Sequence, residues 1–241
     1  MPRSIAQQSV TELGGASSVL ARQRRDHTEL DGLLERVRGV SGPEQDAVLQ
    51  RINRLVFPHA FAEEAVLWPA ARRALPDGPD LTLRVESEHQ EINELVTELE
   101  RTRPGEARRA QVLDRLIPLL RQDVRDEEDL LLPRLQEVLD ARTLRRLGTA
   151  WELVRRVAPT RPHPVVARRP PGNTLSALPL TVLDRSRDRL DRIARRPGPA
   201  ATAGALLSLR LRALTGRIER LGPLRRGEDR RTRAYGAGET P

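Results

Sequence analysis

The chain has no cysteine and no lysine, and few aromatic residues. The absence of cysteine excludes disulfide scaffolds, thiolate metal sites and cysteine nucleophiles. All 42 basic residues are therefore arginine, which coding bias explains more simply than a demand for bidentate recognition of anions. No stretch approaches the roughly 18–20 uncharged apolar residues of a membrane span, and the N-terminus lacks the apolar core of a secretory signal. We therefore expect a soluble, cytoplasmic protein.

Charge is distributed unevenly along the chain. Residues 1–160 carry 24 arginines and 27 acidic residues, a net charge of −3, whereas residues 161–241 carry 18 arginines and 7 acidic residues, a net charge of +11. This asymmetry indicates two regions with different tasks. The basic region either packs on the acidic one, within one chain or in a homodimer through its C-terminal helices, or binds nucleic acid or an anionic surface. The lack of stacking aromatics and of a recognisable helix-turn-helix favours packing.

The front part of the chain has a helical period and lacks the alternating pattern of strands. It predicts an all-α fold, an up-down-up-down four-helix bundle with a short fifth helix, over residues 17–157. The predicted helices cover about 17–37, 44–75, 80–103, 106–139 and 141–157. Pro118 and Pro133 are the expected kinks in the fourth helix.

A proline-rich segment follows the predicted bundle. Six prolines between Ala158 and Pro179 predict an extended strap or linker over residues 158–180. Two Arg-rich amphipathic helices are predicted after it, at about 181–196 and 200–221, and together they form a helical extension over 181–222. Their apolar stripes, which include Leu207 and Leu214, would pack on the bundle. The polar residues 223–241 predict a disordered tail.

Polar residues interrupt the apolar seam of each of the four bundle helices. Positions spaced three and four residues apart face a common core and should be apolar, as Ala70 and Leu130 are. Burying unpaired carboxylates and imidazoles is costly, so these polar residues must compensate one another, and divalent cations do so best. A histidine–carboxylate hydrogen-bond network without metal is the alternative. The six polar positions are His27, His59, Glu63, His89, Asp123 and Glu127.

The spacing of these residues fits a pair of metal ions. His59 and Glu63, like Asp123 and Glu127, are four residues apart and so lie one turn apart on one helix face. Each pair can offer one terminal and one bridging ligand, and the histidines of the other two helices complete the set. We therefore predict six protein ligands, with Glu63 and Glu127 as the bridges.

The segments around the six residues are RRDHTELDGLL, FPHAFAEEAVLWP, ESEHQEINELV and RDEEDLLLP. They resemble the hemerythrin-like, or HHE cation-binding, family over residues ~17–157. The resemblance implies a hemerythrin-like bundle with two non-heme iron ions that meet dioxygen, peroxide or nitric oxide. The family usually has a second HxxxE element on the fourth helix, and Asp123 stands where its histidine would be. This harder, more anionic donor set is compatible with manganese at one or both positions.

Six protein donors leave coordination positions of two metal ions open, as catalytic metal sites do. The sequence therefore favours a di-iron oxidoreductase, catalase-like or oxidase-type, although it identifies no catalytic residue outside the ligands. Reversible binding or sensing of dioxygen, nitric oxide or iron is the alternative. Glu64, Asp126 and Glu128 flank the ligands, and solvated helix faces explain them better than a role in orienting ligands does.

The remaining aromatic residues and the fourth histidine have less defined roles. Phe57, Phe61 and Trp68 surround the histidine of the second helix in sequence, either as ordinary core residues or as a wall that keeps the site dry. Tyr235 lies far away, in the predicted tail. His163, in the proline-rich segment, is predicted to be a surface or loop-packing residue that at most covers the mouth of the site.

Overall fold

A computed structural model describes residues 3–196, 198 and 200–233 of the chain. Within this part the regular structure is helical and contains no strand, so the predicted all-α class is confirmed. None of the helices described is both long and apolar enough to cross a bilayer. The helices are α1 (Val19–Arg38), α2 (Gly42–Ala62), α3 (Trp68–Ala74), α4 (Gly78–Leu99), α5 (Ala107–Asp126), α6 (Leu132–Val138), α7 (Ala141–Arg156), α8 (Gly172–Ala194) and α9 (Ala200–Ile218).

Four helical columns form the bundle: α1, α2 continued by α3, α4, and α5 continued by α6. Ser18 begins the first column as an N-cap, with its hydroxyl accepting a hydrogen bond from the amide of Leu20 at 3.3 Å. The columns pack around an aliphatic core that includes Leu34, Ile52 and Leu116. Burial of this face, more than local helix propensity, stabilises the arrangement.

The second and fourth columns each contain one π turn, in which backbone hydrogen bonds join residues five apart. The turns span Glu63–Leu67 and Glu127–Leu131, and each is followed by a proline near the start of the next helix, Pro69 or Pro133. A proline has no amide hydrogen, so the preceding turn loses one α-helical hydrogen bond. The interruption of the fourth column therefore precedes Pro133, and Pro118 lies inside the continuous helix α5.

After each π turn, the residues that face the core lie one position later in the chain than a continuous α-helix would place them. The prediction that Leu130 lies in the apolar seam was wrong, because Leu130 is 37% exposed and Leu131 only 1% exposed. In the second column the fully buried residue is likewise Ala71 rather than Ala70. One extra residue in a turn rotates the following helix by about 100°, so the next residue along the chain takes the core position.

The residues before α1 also belong to the folded unit, which the predicted start at residue 17 missed. Ile5 and Leu13 are fully buried in a second apolar cluster at the end of the bundle. Helix α7 packs against the same region at Gly148. A Cβ atom added to Gly148 would lie 2.1 Å from the carbonyl oxygen of Ser17, so only glycine permits this close approach.

The proline-rich segment is shorter than predicted. Helix α8 begins at Gly172 and includes Pro179 in its interior, so the extended segment covers residues 158–171. This segment lies against α4, where the amide of His163 donates a hydrogen bond to Oδ1 of Asn93 at 2.9 Å. We refer to residues 158–171 as the strap.

Helices α8 and α9 pack through polar side chains. The predicted packing of apolar stripes was wrong at Leu207 and Leu214, which are exposed. Ion pairs join α8 to the bundle instead, such as the one between Arg54 Nε and Asp188 Oδ2 at 2.9 Å, and the hydroxyl of Ser208 on α9 donates a hydrogen bond to Asp191 of α8 at 2.6 Å. The buried residues of the two helices are mostly polar and include Asp184, Arg187, Asp188, Ser208 and Thr215.

The predicted disordered tail is ordered over its first part. Residues 222–225 form a short 3₁₀ turn, and the carbonyl oxygen of Leu224 accepts a hydrogen bond from the amide of Ala167 in the strap at 2.9 Å. Residues 234–241, which include Tyr235, lie outside the described residues.

Candidate metal centre

The structure brings all six polar seam residues together, and all six are buried. They come from all four columns of the bundle, and Glu63 and Glu127 are the first residues of the two π turns. Their donor atoms form two groups, and within each group every atom lies within 4.8 Å of the others. One group contains His27, His59, Glu63 and Glu127; the other contains His89, Asp123 and Glu127.

Glu127 belongs to both groups, and Glu63, a member of the first, also approaches His89 of the second. Glu63 places Oε1 3.1 Å from Nε2 of His59 and Oε2 3.7 Å from Nε2 of His89. Glu127 places Oε2 3.2 Å from Nε2 of His27 and Oε1 3.7 Å from Nε2 of His89. Each carboxylate therefore has one oxygen on each side of the cluster.

Five carboxylate oxygens of the cluster accept no well-aligned hydrogen bond from the described residues. Both oxygens of Glu63, both oxygens of Glu127 and Oδ1 of Asp123 are buried in this way, with imidazole nitrogens as charged neighbours at 3.1–3.7 Å. Buried carboxylate oxygens without hydrogen bonds are unfavourable. A cation among these oxygens would satisfy them, so the donor set fits a metal.

A second ring of carboxylates fixes the orientation of the imidazoles. Each of the three histidines directs Nε2 into the cluster, while its Nδ1 lies close to a carboxylate on the outer side. Such an outer contact holds the Nδ1 proton and leaves the lone pair of Nε2 for a metal. The pairs are His27 with Glu128 at 3.0 Å, His59 with Asp26 at 3.4 Å, and His89 with Glu64 at 3.0 Å.

These contacts correct the prediction that the flanking acids are solvated. Glu64 and Glu128 orient histidines, and Asp126 is buried against Arg84 at 2.6 Å. Asp26 was not predicted at all. The sequence carried a signal for Glu64 and Glu128, because each is the second glutamate of a repeated Glu-Glu pair that starts with a cluster residue.

The titration behaviour of the cluster reflects its high density of negative charge. Burial lowers the pKa of the imidazoles, but the surrounding carboxylates outweigh this effect and raise the pKa of His27 to about 9 and that of His59 to about 10. Burial and neighbouring carboxylates raise the pKa of Glu63 and Asp123 above their usual values. The same field that holds protons on the imidazoles attracts metal cations.

Two tryptophans shield the histidines from solvent. The ring of Trp151, on α7, meets the ring of His59 edge-on with a centroid distance of 5.3 Å, and Trp68 lies 6.5 Å from His89. Of the aromatic residues proposed from sequence, Phe57 belongs to the aliphatic core and Phe61 is half-buried. The aromatic wall therefore consists of Trp68, which the sequence spacing suggested, and Trp151, which it did not.

A small cavity lies against the donor atoms. It has a volume of about 20 Å³, and apolar side chains such as Leu30, Leu55 and Leu120 share its wall with the three histidines. An outer cleft of about 440 Å³ shares Leu30, Val124 and His27 with this cavity and also contains Arg24, Arg121 and Arg125. The shared residues form the wall between the two cavities, and the inner cavity has room for a molecule of two or three atoms.

His163 does not join the cluster. It is buried between two carboxylates, with Nε2 3.0 Å from Asp184 Oδ2 and Nδ1 2.8 Å from Glu219 Oε1. Burial lowers its pKa, but Asp184 and Glu219 outweigh this effect and raise the pKa to about 9. The prediction of a surface or loop-packing position was therefore wrong in one respect, since the residue packs inside the protein and joins the strap to α8.

Comparison with known proteins agrees with this geometry. Residues 18–135 match the family model of the hemerythrin HHE cation binding domain. An uncharacterized hemerythrin-like protein of Schizosaccharomyces pombe is 23% identical over 172 residues, which cover 70% of this chain and 84% of that protein. No solved structure matches the chain significantly. With a buried histidine–glutamate cluster inside the matched region, the chain belongs to the hemerythrin-like proteins, and residues 18–135 form its HHE cation-binding domain.

Proposed function

We propose that this chain holds two iron ions, one or both replaceable by manganese, and uses them to react with dioxygen or peroxide. The observation that carries the proposal is the placement of Glu63 and Glu127, whose two oxygens face different groups of donors. Each glutamate can therefore bridge two ions. In this assignment His27 and His59 would hold one ion, His89 and Asp123 would hold the other, and Glu63 and Glu127 would be shared by both.

The two proposed positions differ in their donors. One offers two imidazoles, whereas the other offers a single imidazole and the carboxylate of Asp123, 3.5 Å from Nε2 of His89. Two divalent ions among three carboxylates would leave a net charge of about +1, which stabilises higher oxidation states and suits iron and manganese. The second position has the harder donors, so a single manganese ion would occupy that position.

Iron ions bound here would supply one-electron redox chemistry to a small oxygen ligand. The protein contributes orientation and exclusion of water. Asp26, Glu64 and Glu128 hold the Nδ1 protons of the histidines, so that the Nε2 lone pairs face inward. Trp68 and Trp151 cover two of the imidazoles. The apolar wall of the cavity admits small uncharged molecules and disfavours larger substrates.

Reversible binding or sensing of dioxygen or nitric oxide is the second candidate function. The small volume and apolar wall of the cavity support this function too, because a diatomic molecule that is bound and released unchanged would fit the same space. The two candidates differ in turnover. A redox enzyme consumes many equivalents of peroxide or dioxygen per chain, whereas a carrier or sensor binds one small molecule per site and releases it unchanged.

Elemental analysis of protein purified without added metal tests the metal assignment. We expect about two metal ions per chain, and we expect His59→Ala to lose one or both while its circular dichroism stays helical. His163→Ala is the matched control, since His163 is equally buried but lies outside the cluster, and it should keep both ions. Unchanged metal content in His59→Ala would refute the assignment.

Peroxide consumption by the metal-loaded protein then separates the two candidates. Continuous consumption that is absent from the metal-free protein and from His59→Ala supports an enzyme. A spectral change that saturates at one equivalent of dioxygen or nitric oxide and reverses on removal of the gas supports a carrier or sensor.

A further inference from the structure

A second and larger cleft lies between the bundle and the C-terminal helices. Its volume is about 510 Å³, and its walls come from α2, the end of α4, the start of α5, the strap, α8 and α9. None of its lining residues is one of the six polar residues of the candidate metal centre. Leu49, Val96, Leu99 and Leu209 give it an apolar part, and several arginines give it a polar part. A volume of this size is typical of sites for small organic molecules.

Most of the acidic residues in this cleft already have partners. Asp191 pairs with Arg161 at 2.5 Å, and Asp188, which also contacts Arg161 at 2.8 Å, pairs with Arg54 at 2.9 Å. Asp46 pairs with Arg109. Within each pair the two charges cancel. Of the acidic residues that line the cleft, Glu100 is then left for the remaining arginines.

Three arginines, Arg187, Arg195 and Arg212, lack a close carboxylate partner among the described residues. Arg187 and Arg212 approach one and the same carboxylate oxygen of Glu100, at 3.8 Å and 3.9 Å. Arg195 contacts only the amide oxygen of Gln50. Two of the three arginines therefore share a single carboxylate, which Arg161 also approaches at 3.4 Å, and Arg195 pairs with none among the described residues.

Arg187 is the most unusual of the three. Its side chain is only 7% exposed, and its Nε atom is buried without a hydrogen-bond partner. Burial, and next the neighbouring charge of Arg161, hold its pKa below the usual value of an arginine. A guanidinium buried in a cleft with a free Nε donor, and with its carboxylate contact to Glu100 as long as 3.8 Å, is poised to receive an anion.

We infer that this cleft binds a small organic dianion, a phosphate monoester of metabolite size, through Arg187, Arg195 and Arg212. A phosphate dianion supplies the two negative charges that balance three arginines against Glu100. Its oxygens match the planar donor pattern of guanidinium groups. The organic part of the ligand lies against Leu49, Val96 and Leu209. The site is separate from the proposed metal function and would exist whether or not metal is bound.

Isothermal titration calorimetry of the full chain tests this site by measuring its affinity for phenyl phosphate, inorganic phosphate and succinate. We expect one equivalent of phenyl phosphate to bind and to raise the thermal unfolding midpoint. Inorganic phosphate should bind more weakly because it lacks an apolar part. Arg187→Met should weaken the binding of phenyl phosphate by about tenfold or more, the effect of one lost charge-assisted contact.

Two further variants keep the test decisive if Arg187→Met fails to fold. Arg212→Met changes a more exposed residue of the same site and should show the same loss of affinity. Arg189→Met removes an equal charge from an exposed position of α8 outside the cleft, and it should bind like the unmodified protein. The inference would be overturned if phenyl phosphate did not bind to the unmodified protein. It would also be overturned if Arg189→Met and Arg212→Met weakened the binding of phenyl phosphate equally. Tighter binding of succinate than of phenyl phosphate would overturn the assignment to a phosphate.

Discussion

Glu63 and Glu127 hold equivalent positions in two different columns of the bundle: each is the first residue of a π turn, and each places a carboxylate oxygen 3.7 Å from Nε2 of His89. Such turns are rare and concentrate at functional sites. Here both are associated with a proline six residues after the glutamate, Pro69 or Pro133. The repeated local sequence thus builds the two bridging positions of the proposed site in the same way.

Removal of the Asp123 carboxylate should empty one metal position. In Asp123→Ala the position next to His89 loses one donor, while the donors of the other position remain. We therefore expect metal content to fall from about two ions to about one per chain. Asp114→Ala, an exposed change on the same helix, should keep both ions. Two ions in Asp123→Ala would show that Asp123 is not a ligand.

The outer carboxylate of Asp26 should strengthen metal binding through His59. Asp26→Asn keeps the size of the side chain but removes the negative charge 3.4 Å from Nδ1. Loss of such a partner typically weakens metal affinity by about 10–100-fold. Competition with a chelator would measure this change. Glu29→Gln, an exposed change on α1, should leave the affinity unaltered, and equal affinities in the two variants would contradict this role of Asp26.

The close approach at Gly148 should make this position intolerant of any side chain. Gly148→Ala puts a methyl group against the backbone of Ser17 and Val19, and we expect a loss of about 2 kcal/mol or more in the free energy of unfolding. Gly216→Ala is the matched control on α9, where a Cβ atom meets nothing within 4 Å. Because alanine favours helix over glycine, this control should be neutral or stabilising by up to about 1 kcal/mol. Urea unfolding would measure both, and equal stabilities would argue against the packing of α7 on the N-terminal segment.

Stability at alkaline pH should depend on His163. Its pKa is raised to about 9 in the folded protein by Asp184 and Glu219, against the burial that lowers it, while the unfolded value is about 6.5. The stabilisation is therefore complete below pH ~6.5 and is lost as the pH rises through about 9. It amounts to about 3 kcal/mol at most.

A His163→Gln variant isolates this contribution from that of the other histidines. The difference in the free energy of unfolding between the unmodified protein and His163→Gln should shrink as the pH rises from about 6.5 to about 9. Asp184→Asn, which removes one partner of the imidazole, should reduce the same dependence. A difference that stays constant across this range would contradict a raised pKa of His163.

The candidate site could be predicted from sequence because its residues stand out against an apolar background. His27, His59 and His89 interrupt seams of aliphatic residues, and the fold and family predictions that followed from this pattern are confirmed. The six residues also share one buried cluster, as expected from their common helix faces. Their roles as ligands stay predictions that the metal analyses above would test.

The missed features depend on contacts that the period of a single helix cannot predict. Asp26 lies on the same helix as His27 but serves a histidine of another column, and Trp151 reaches His59 from α7. Core positions after the π turns were predicted one residue too early, as at Leu130, because periodicity assumes 3.6 residues per turn throughout. Helix α8 contacts the rest of the protein through buried ion pairs, such as that between Asp188 and Arg161, which a search for apolar stripes cannot detect.

The position of Trp151 has a consequence for shortened forms of the protein. The family match ends at residue 135, yet Trp151 and the buried residues Ile5 and Leu13 lie beyond its limits. A fragment limited to residues 18–135 would keep every proposed metal ligand but lose the ring that covers His59. Water would then reach the imidazole, and the bare end of the bundle would present its apolar surface for self-association. The boundary of the recognisable sequence family is therefore not the boundary of the protective shell around the cluster.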